Sequence, residues 1–158
     1  MQFASTYFLR GKMKNMKILI INGPNLNMLG IREPHIYGTK TYPELVAYLT
    51  NLANHYQDEV EVFQSNGEKE IIEKIHQSYF DQVTAIIINP GAFGHYSYAI
   101  RDAIASIGIS TIEVHLTDID HREMFRRISV IRDVCKECFS GKGFMSYKEA
   151  FDYLHQEN

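Results

Sequence analysis

Lys17-Ile18-Leu19-Ile20-Ile21-Asn22-Gly23-Pro24-Asn25-Leu26-Asn27 decides how this chain folds. An unbroken aliphatic run ends in a cluster of turn residues and amides. Lys17 to Asn22 therefore reads as a buried strand, covered on both faces, whose last residue opens into a polar loop. Beyond it the periodicity changes. Leu45, Leu49, Leu52 and Tyr56 form a helical stripe within Tyr42 to Tyr56. Glu59 to Gln64 alternates as a second strand. Ile71, Ile72, Ile75 and Tyr79 mark a helix over Glu68 to Phe80, and Ala85 to Ile88 is a third, wholly apolar strand. A helix over Tyr96 to Ile107 buries Ala99, Ile100, Ala103, Ile104 and Ile107 and ends at a capping Gly108. Ser110 to Val114 is a fourth strand, Glu123 to Ile128 a short helix, Val134 to Phe139 a fifth strand and Tyr147 to His155 the last helix.

Strands alternating with helices predict an α/β fold: a flavodoxin-like three-layer sandwich around a five-stranded parallel sheet, order 2-1-3-4-5. At 158 residues the chain is one domain's worth. Residues 16–158 are expected to form a single catalytic domain, preceded by a dispensable extension, 1–15. That extension carries no sustained apolar segment of the kind a secretory signal needs, so the protein is expected in the cytoplasm. A formal charge of −3 gives no reason to expect nucleic acid or an anionic membrane as partner. Arg101, Arg122, Arg126, Arg127 and Arg132 read as singly placed cations, which suit a small anionic substrate better than a polyanion.

Ligands of such sheets bind beyond the carboxyl ends of the strands, and three polar clusters converge there. After the first strand come Asn22, Asn25, Asn27, Arg32 and Tyr37. After the third comes Asn89-Pro90-Gly91-Ala92-Phe93-Gly94-His95, and at the end of the fourth Glu113-Val114-His115-Leu116-Thr117, followed by Arg122 and Arg126. A guanidinium close to a phenol can turn it into a base. Free tyrosine titrates at about 10, so reaching about 7 takes roughly 4 kcal/mol. One cation at ~4 Å supplies about 4 kcal/mol at an effective dielectric of about 20. Burial opposes the shift, so one Arg is barely enough and a second would help.

Glu113 and His115, two apart at a strand end, share a face and can act as an oriented acid–base pair. The competing readings are a structural hydrogen bond, or a metal site together with His121. His95 is placed at the start of the third helix, either as its N-cap or as a ligand-facing imidazole. Arg122 and Arg126, one helical turn apart, point the same way; they can bind a carboxylate or hydroxyls, or strengthen the pull on the phenol, against the plain reading of a solvated helix face, which Arg127 occupies. No phosphate-binding glycine loop of either common type is present. Cys135 and Cys138, spaced C-x-x-C, lack a second pair of zinc ligands with suitable spacing. On a strand they would face opposite sides, so two free thiols are expected.

I-N-G-P-N-L-N-M-L-G, R-E-P-x-x-Y-G, I-I-N-P-G-A-F-x-H, I-E-V-H-L-T and H-R-E-x-F-R, in that order between Lys17 and Ile128, resemble the type II 3-dehydroquinate dehydratases (3-dehydroquinases). The resemblance implies a metal-free, cofactor-free lyase of the shikimate route, acting by anti elimination through an enolate. Carried over, Tyr37 is the base that takes a C2 proton and Arg32, on a lid loop, its activating cation. Asn25 helps hold a water that stabilises the enolate oxygen. His115 protonates the departing C1 hydroxyl and Glu113 orients it. Asn89 and the backbone N–H groups of Leu116 and Thr117 hold the substrate carboxylate, while His95 and Arg126 meet ring hydroxyls. Arg122 belongs to the same cluster, and Asp102 is similar to a residue that reaches a neighbouring subunit's site. The implied assembly is a homo-dodecamer built from trimers. Gly94 and Tyr96 flank His95 where Ser or Thr is more usual, and Val130 to Asn158 fits the pattern loosely. Two other readings share the fold: a binding module for a nucleotide or phosphorylated ligand, and a catalytically degenerate sensor of quinate or shikimate.

Overall fold

The structure is a computed structural model that describes residues 15–157. The extension expected at 1–15 lies, apart from its last residue, outside the described residues. Five parallel strands, β1 (Lys17–Asn22), β2 (Glu59–Gln64), β3 (Ala85–Asn89), β4 (Ser110–His115) and β5 (Glu137–Ser140), form one sheet in the order β2-β1-β3-β4-β5. This is the expected topology. A one-turn helix α1 (Pro34–Tyr37) precedes α2 (Tyr42–Tyr56), α3 (Glu68–Phe80), α4 (Tyr98–Ile107) and α5 (Met145–Gln156).

Strand alternation divides the core in two. Ile18, Ile20, Ile87, Ile112 and Val114 point to one face and pack on Leu45, Leu49 and Ala53 of α2 and Tyr147, Phe151 and Leu154 of α5. Leu19, Ile21, Ile86 and Ile88 point to the other, against Ile71 and Ile75 of α3 and Ile100 and Ile104 of α4. Both faces of β1 and β3 are thus covered, which is why those strands are aliphatic without alternation. β4 is different. Register pairs Ile88 with Glu113, so Thr111, Glu113 and His115 lie on the α3–α4 side. There the segment 129–135 covers β4, bringing Ser129 and Ile131 over it.

Local chemistry sets the element ends. Thr41 and Glu44 form a reciprocal capping box at the start of α2, and Gly108 ends α4 in the left-handed region at φ 65°. Several element ends differ from expectation: β3 and β4 each run one residue further, to Asn89 and His115, α5 starts two residues earlier, at Met145, and ends one later, at Gln156, and three other boundaries have a visible local cause. α4 starts at Tyr98 because Ser97 caps it, accepting from the Ile100 N–H at 3.1 Å. The expected helix over 123–128 tightens to a 3-10 turn, Met124–Arg127. β5 begins at Glu137, because Arg132–Val134 is a 3-10 turn. Cys135 therefore lies outside the strand, and the opposite-faces argument does not apply to it. Both cysteines are free thiols.

Candidate active site

The three polar clusters do meet. The loops after β1, β3 and β4 enclose a cleft of about 550 Å³ of empty space at the carboxyl end of the sheet. Asn25, Arg32, Tyr37, Asn89, His95, His115, Leu116, Thr117, Arg122 and Arg126 all line it. Glu113 stands behind His115, fully buried. Asp102 does not reach the cleft of its own chain. It is exposed on α4 and pairs with Arg101 at 3.0 Å.

The loops approach closely because their backbones are small or preset. The Gly23 N–H donates to the Asn89 carbonyl at 2.8 Å, tying the ends of β1 and β3 together. A Cβ at Gly23 would stand 2.4 Å from the Pro90 carbonyl oxygen, so a larger residue requires the backbone to shift. Asn25 takes the left-handed conformation at φ 68°, where asparagine is tolerated, and its N–H donates to Asn66 Oδ1 at 2.9 Å. Pro34 opens α1, and Tyr37 at its end is half-buried over the cleft.

Two guanidinium groups hold Tyr37 in different ways. Arg122 Nη1 donates to the phenol oxygen at 2.8 Å. Arg32 lies over the ring face, its Cζ 4.7 Å from the centroid. The expectation made Arg32 the activating cation and left Arg122 either to bind substrate or to add to the pull on the phenol. In the structure the hydrogen bond to oxygen comes from Arg122, whose Cζ also lies 5.2 Å from the ring centroid, while Arg32 makes the cation–π contact alone. Glu123 braces the neighbouring guanidiniums, 3.1 Å from Arg126 Nε and 3.8 Å from Arg122 Nε. Three arginines and no carboxylate line the cleft, so it is built for an anion.

On the β4 side, His115 Nε2 meets Glu113 Oε1 at 2.5 Å. A carboxylate only accepts, so Nε2 carries the proton and Nδ1 is the ring nitrogen left to the cleft. Ser129 Oγ donates to the same carboxylate oxygen at 2.6 Å, and Arg132 Nε lies 3.6 Å from the other. Burial alone would raise the Glu113 pKa. The His115 bond and charge, the Ser129 hydroxyl and Arg132 outweigh it and hold the carboxyl below its usual range. Glu113 thus stays ionised as a fixed counter-charge for the ring.

His95 is neither an N-cap nor a residue of α4. It ends a 3-10 turn, Gly91–His95, and its Nδ1 donates to the Ile128 carbonyl at 2.7 Å. Burial foremost, with the nearby His115, Arg126 and Arg122 charges, lowers its pKa. The ring is neutral and offers Nε2 as an acceptor, which suits a ligand hydroxyl. Asn89 is oriented from below. Its Nδ2 donates to Tyr147 at 3.2 Å, and the Tyr147 hydroxyl donates to Asn22 Oδ1 at 2.6 Å.

Ser129 and Tyr147 carried no signal in the sequence. Ser129 is an isolated hydroxyl in a connecting segment. Tyr147 sits where an apolar residue would continue the helix stripe, and only its burial shows that its hydroxyl must find a partner. His121 does not join Glu113 and His115. It is exposed and bonded to Asp118 at 2.7 Å. Cys138 comes closer: Glu113, His115 and Cys138 offer ligand atoms within 4.8 Å of one another, the one such mixed donor group among the described residues. Burial and the Glu113 carboxylate push the Cys138 thiol up to about 12 and raise Cys135 as well. Neither is the low-pKa thiol a redox pair needs.

Comparison with known proteins agrees over nearly the whole chain. Residues 16–155 match the family model described as dehydroquinase class II, so the match continues through the segment that fitted the motif pattern loosely. A protein of Lachnoclostridium phytofermentans named 3-dehydroquinate dehydratase is 53% identical over 143 residues, covering 90% of this chain and 99% of that protein. One of the same name from Caldicellulosiruptor bescii is 56% identical over 131 residues, covering 83% and 90%. The crystal structure of a type II dehydroquinase from Butyrivibrio crossotus superposes with a TM-score of 0.87 at 51% identity, covering 89% of this chain and 97% of that one.

Proposed function

Because the chain belongs to the class II dehydroquinase family, its reaction is the dehydration of 3-dehydroquinate to 3-dehydroshikimate in the shikimate pathway, and we propose that the cleft between Tyr37 and His115 carries it out. The observation that supports this placement is a pair of pairs. A phenol bonded to a guanidinium and an imidazole bonded to a buried carboxylate line one cavity.

Each half of the elimination then has a residue. Tyr37, as phenolate, takes the C2 proton next to the ketone. Its charge is met by Arg122 at 2.8 Å and by Arg32 across the ring. The carbonyl oxygen becomes an enolate oxygen, and Asn25 on the same wall holds the water that donates to it. His115, charged against Glu113, delivers its Nδ1 proton to the C1 hydroxyl, which leaves as water. The next turnover needs the proton on Tyr37 returned to solvent and His115 recharged. Asn89 and the N–H groups of Leu116 and Thr117 take the substrate carboxylate, and His95 and Arg126 take ring hydroxyls. The metal-free reading of the chemistry rests on this acid–base set, which needs no Lewis acid. Asp102, outside its own cleft, is assigned to a neighbour's site in a dodecamer of trimers. The location is proposed to be the cytoplasm; among the described residues no helix is long and apolar enough to cross a membrane.

Incubation of the purified chain with 3-dehydroquinate tests the assignment. The conjugated enone product absorbs in the ultraviolet, and turnover is expected in the presence of EDTA, from particles whose mass by light scattering is that of twelve chains. A folded oligomer that forms no enone would reject the lyase. A metal-restored rate would reject the metal-free chemistry, and active single chains would reject the assembly.

A further inference from the structure

The donor group behind the cleft has a consequence for metals. Parallel register sets Cys138 on β5 directly beside Glu113 on β4, and strand alternation puts His115 on the same face as Glu113. A thiol, an imidazole and a carboxylate thereby converge within 4.8 Å at a position buried from solvent on the Glu113 and His115 sides. This is the donor mixture that zinc prefers, with a fourth position left for water. Tetrahedral ligands about a zinc ion stand roughly 3.5 Å apart, so the widest pair has to close by about 1 Å, and Nε2 and Oε1, now hydrogen-bonded at 2.5 Å, have to part or leave the carboxylate to bind through Oε2. Glu113 Oε2 is fully buried and accepts no hydrogen bond. Its nearest cation is Arg132, whose Nε is 3.6 Å away while its Nη2 meets Cys138 Sγ at 3.5 Å. Two of the three donors thus already face a positive group, and that group is partly exposed.

The geometry points to an inhibitory zinc site formed by Glu113, His115 Nε2 and Cys138, in which the metal replaces the Arg132 guanidinium. Binding releases the thiol proton to solvent. It also removes the proton from Nε2, because metal and proton compete for one lone pair. The ring then keeps at most its Nδ1 proton, and giving that up would leave an imidazolate. A metallated His115 therefore cannot serve as the acid that expels water. The inhibitory half rests on the reading of His115 given above; the binding half does not.

Cobalt(II), added to the whole protein without substrate, reports the site through a thiolate charge-transfer band. We expect a band in proportion to one ion per chain, absent in Cys138→Ser, retained in Cys135→Ser and displaced by zinc. Arg132→Ala should tighten cobalt binding at least about tenfold, since a competing cation is gone. Zinc should abolish turnover in step with occupancy, with EDTA restoring it. Cys138→Ser should keep its basal rate and need at least tenfold more zinc to lose it. No band, or a band that survives Cys138→Ser, overturns the site. Full occupancy with unchanged turnover overturns the inhibition. Absence of turnover in metal-free protein would instead strike the lyase assignment, and the cobalt titration would still decide the site.

Discussion

Tyr37 meets its two cations unequally, and the difference is measurable. Arg122 donates to the phenol oxygen at 2.8 Å and its Cζ lies 5.2 Å from the ring centroid, whereas Arg32 touches only the π face, at 4.7 Å. A charge-assisted hydrogen bond contributes about 1.5–3 kcal/mol, or roughly 10- to 150-fold in rate. The cation–π contact contributes about 0.5–2 kcal/mol. Arg122→Ala should therefore lower kcat more than Arg32→Ala. Steady-state kinetics on both variants tests this. A larger loss for Arg32→Ala would return the activating role to Arg32. The ranking was not legible in the sequence. Arg32 is five residues from Tyr37 in one motif, while Arg122 reaches it from 85 residues away, and only the shared cleft makes it a neighbour.

At the scale of elements, the site is a set of strand ends held at fixed spacing. β1 and β3 are clamped where Gly23 passes Pro90, and Asn89 sits at that clamp. The obstacle to a side chain at Gly23 is backbone carbonyl and not a movable rotamer. Gly23→Ala should cost roughly 1–3 kcal/mol by overpacking, seen as a Tm lowered by about 2–12 °C. It should also raise KM, because Asn89 is displaced. An unchanged melting curve and KM would show that the loops separate without strain. The strands and the sheet order were legible, because aliphatic runs between amphipathic helices admit few topologies. The ends of elements were less so. His95 was misplaced because the tight turn Gly91–His95 and the Ser97 cap carry the chain two residues past the position where periodicity alone would start a helix. Cys135 was misplaced for a similar reason. The apolar residues around it pack against the core on the α3–α4 side, and burial there mimics a strand.

For the whole molecule, folding brings two chemically opposite arrangements to one cavity. One is an exposed-side phenol among cations, on the loop after β1. The other is an imidazole on β4, backed by a carboxylate with no solvent contact. The asymmetry follows from the layers. β4 turns its polar edge away from α2 and α5, so Glu113 is buried beneath 129–135 and can hold a charge only through His115, Ser129 and Arg132. Its depressed pKa also means that this part of the stability is present above the unfolded carboxylate pKa and is lost as pH falls through the folded value. The central claim is that Tyr37 removes the proton while the rest of the cleft binds the ligand. The most direct measurement is Tyr37→Phe, with turnover followed by enone absorbance and substrate binding by calorimetry. The predicted result is a fall of about 10²- to 10⁴-fold in kcat with binding retained; turnover near that of the unmodified chain would contradict the account.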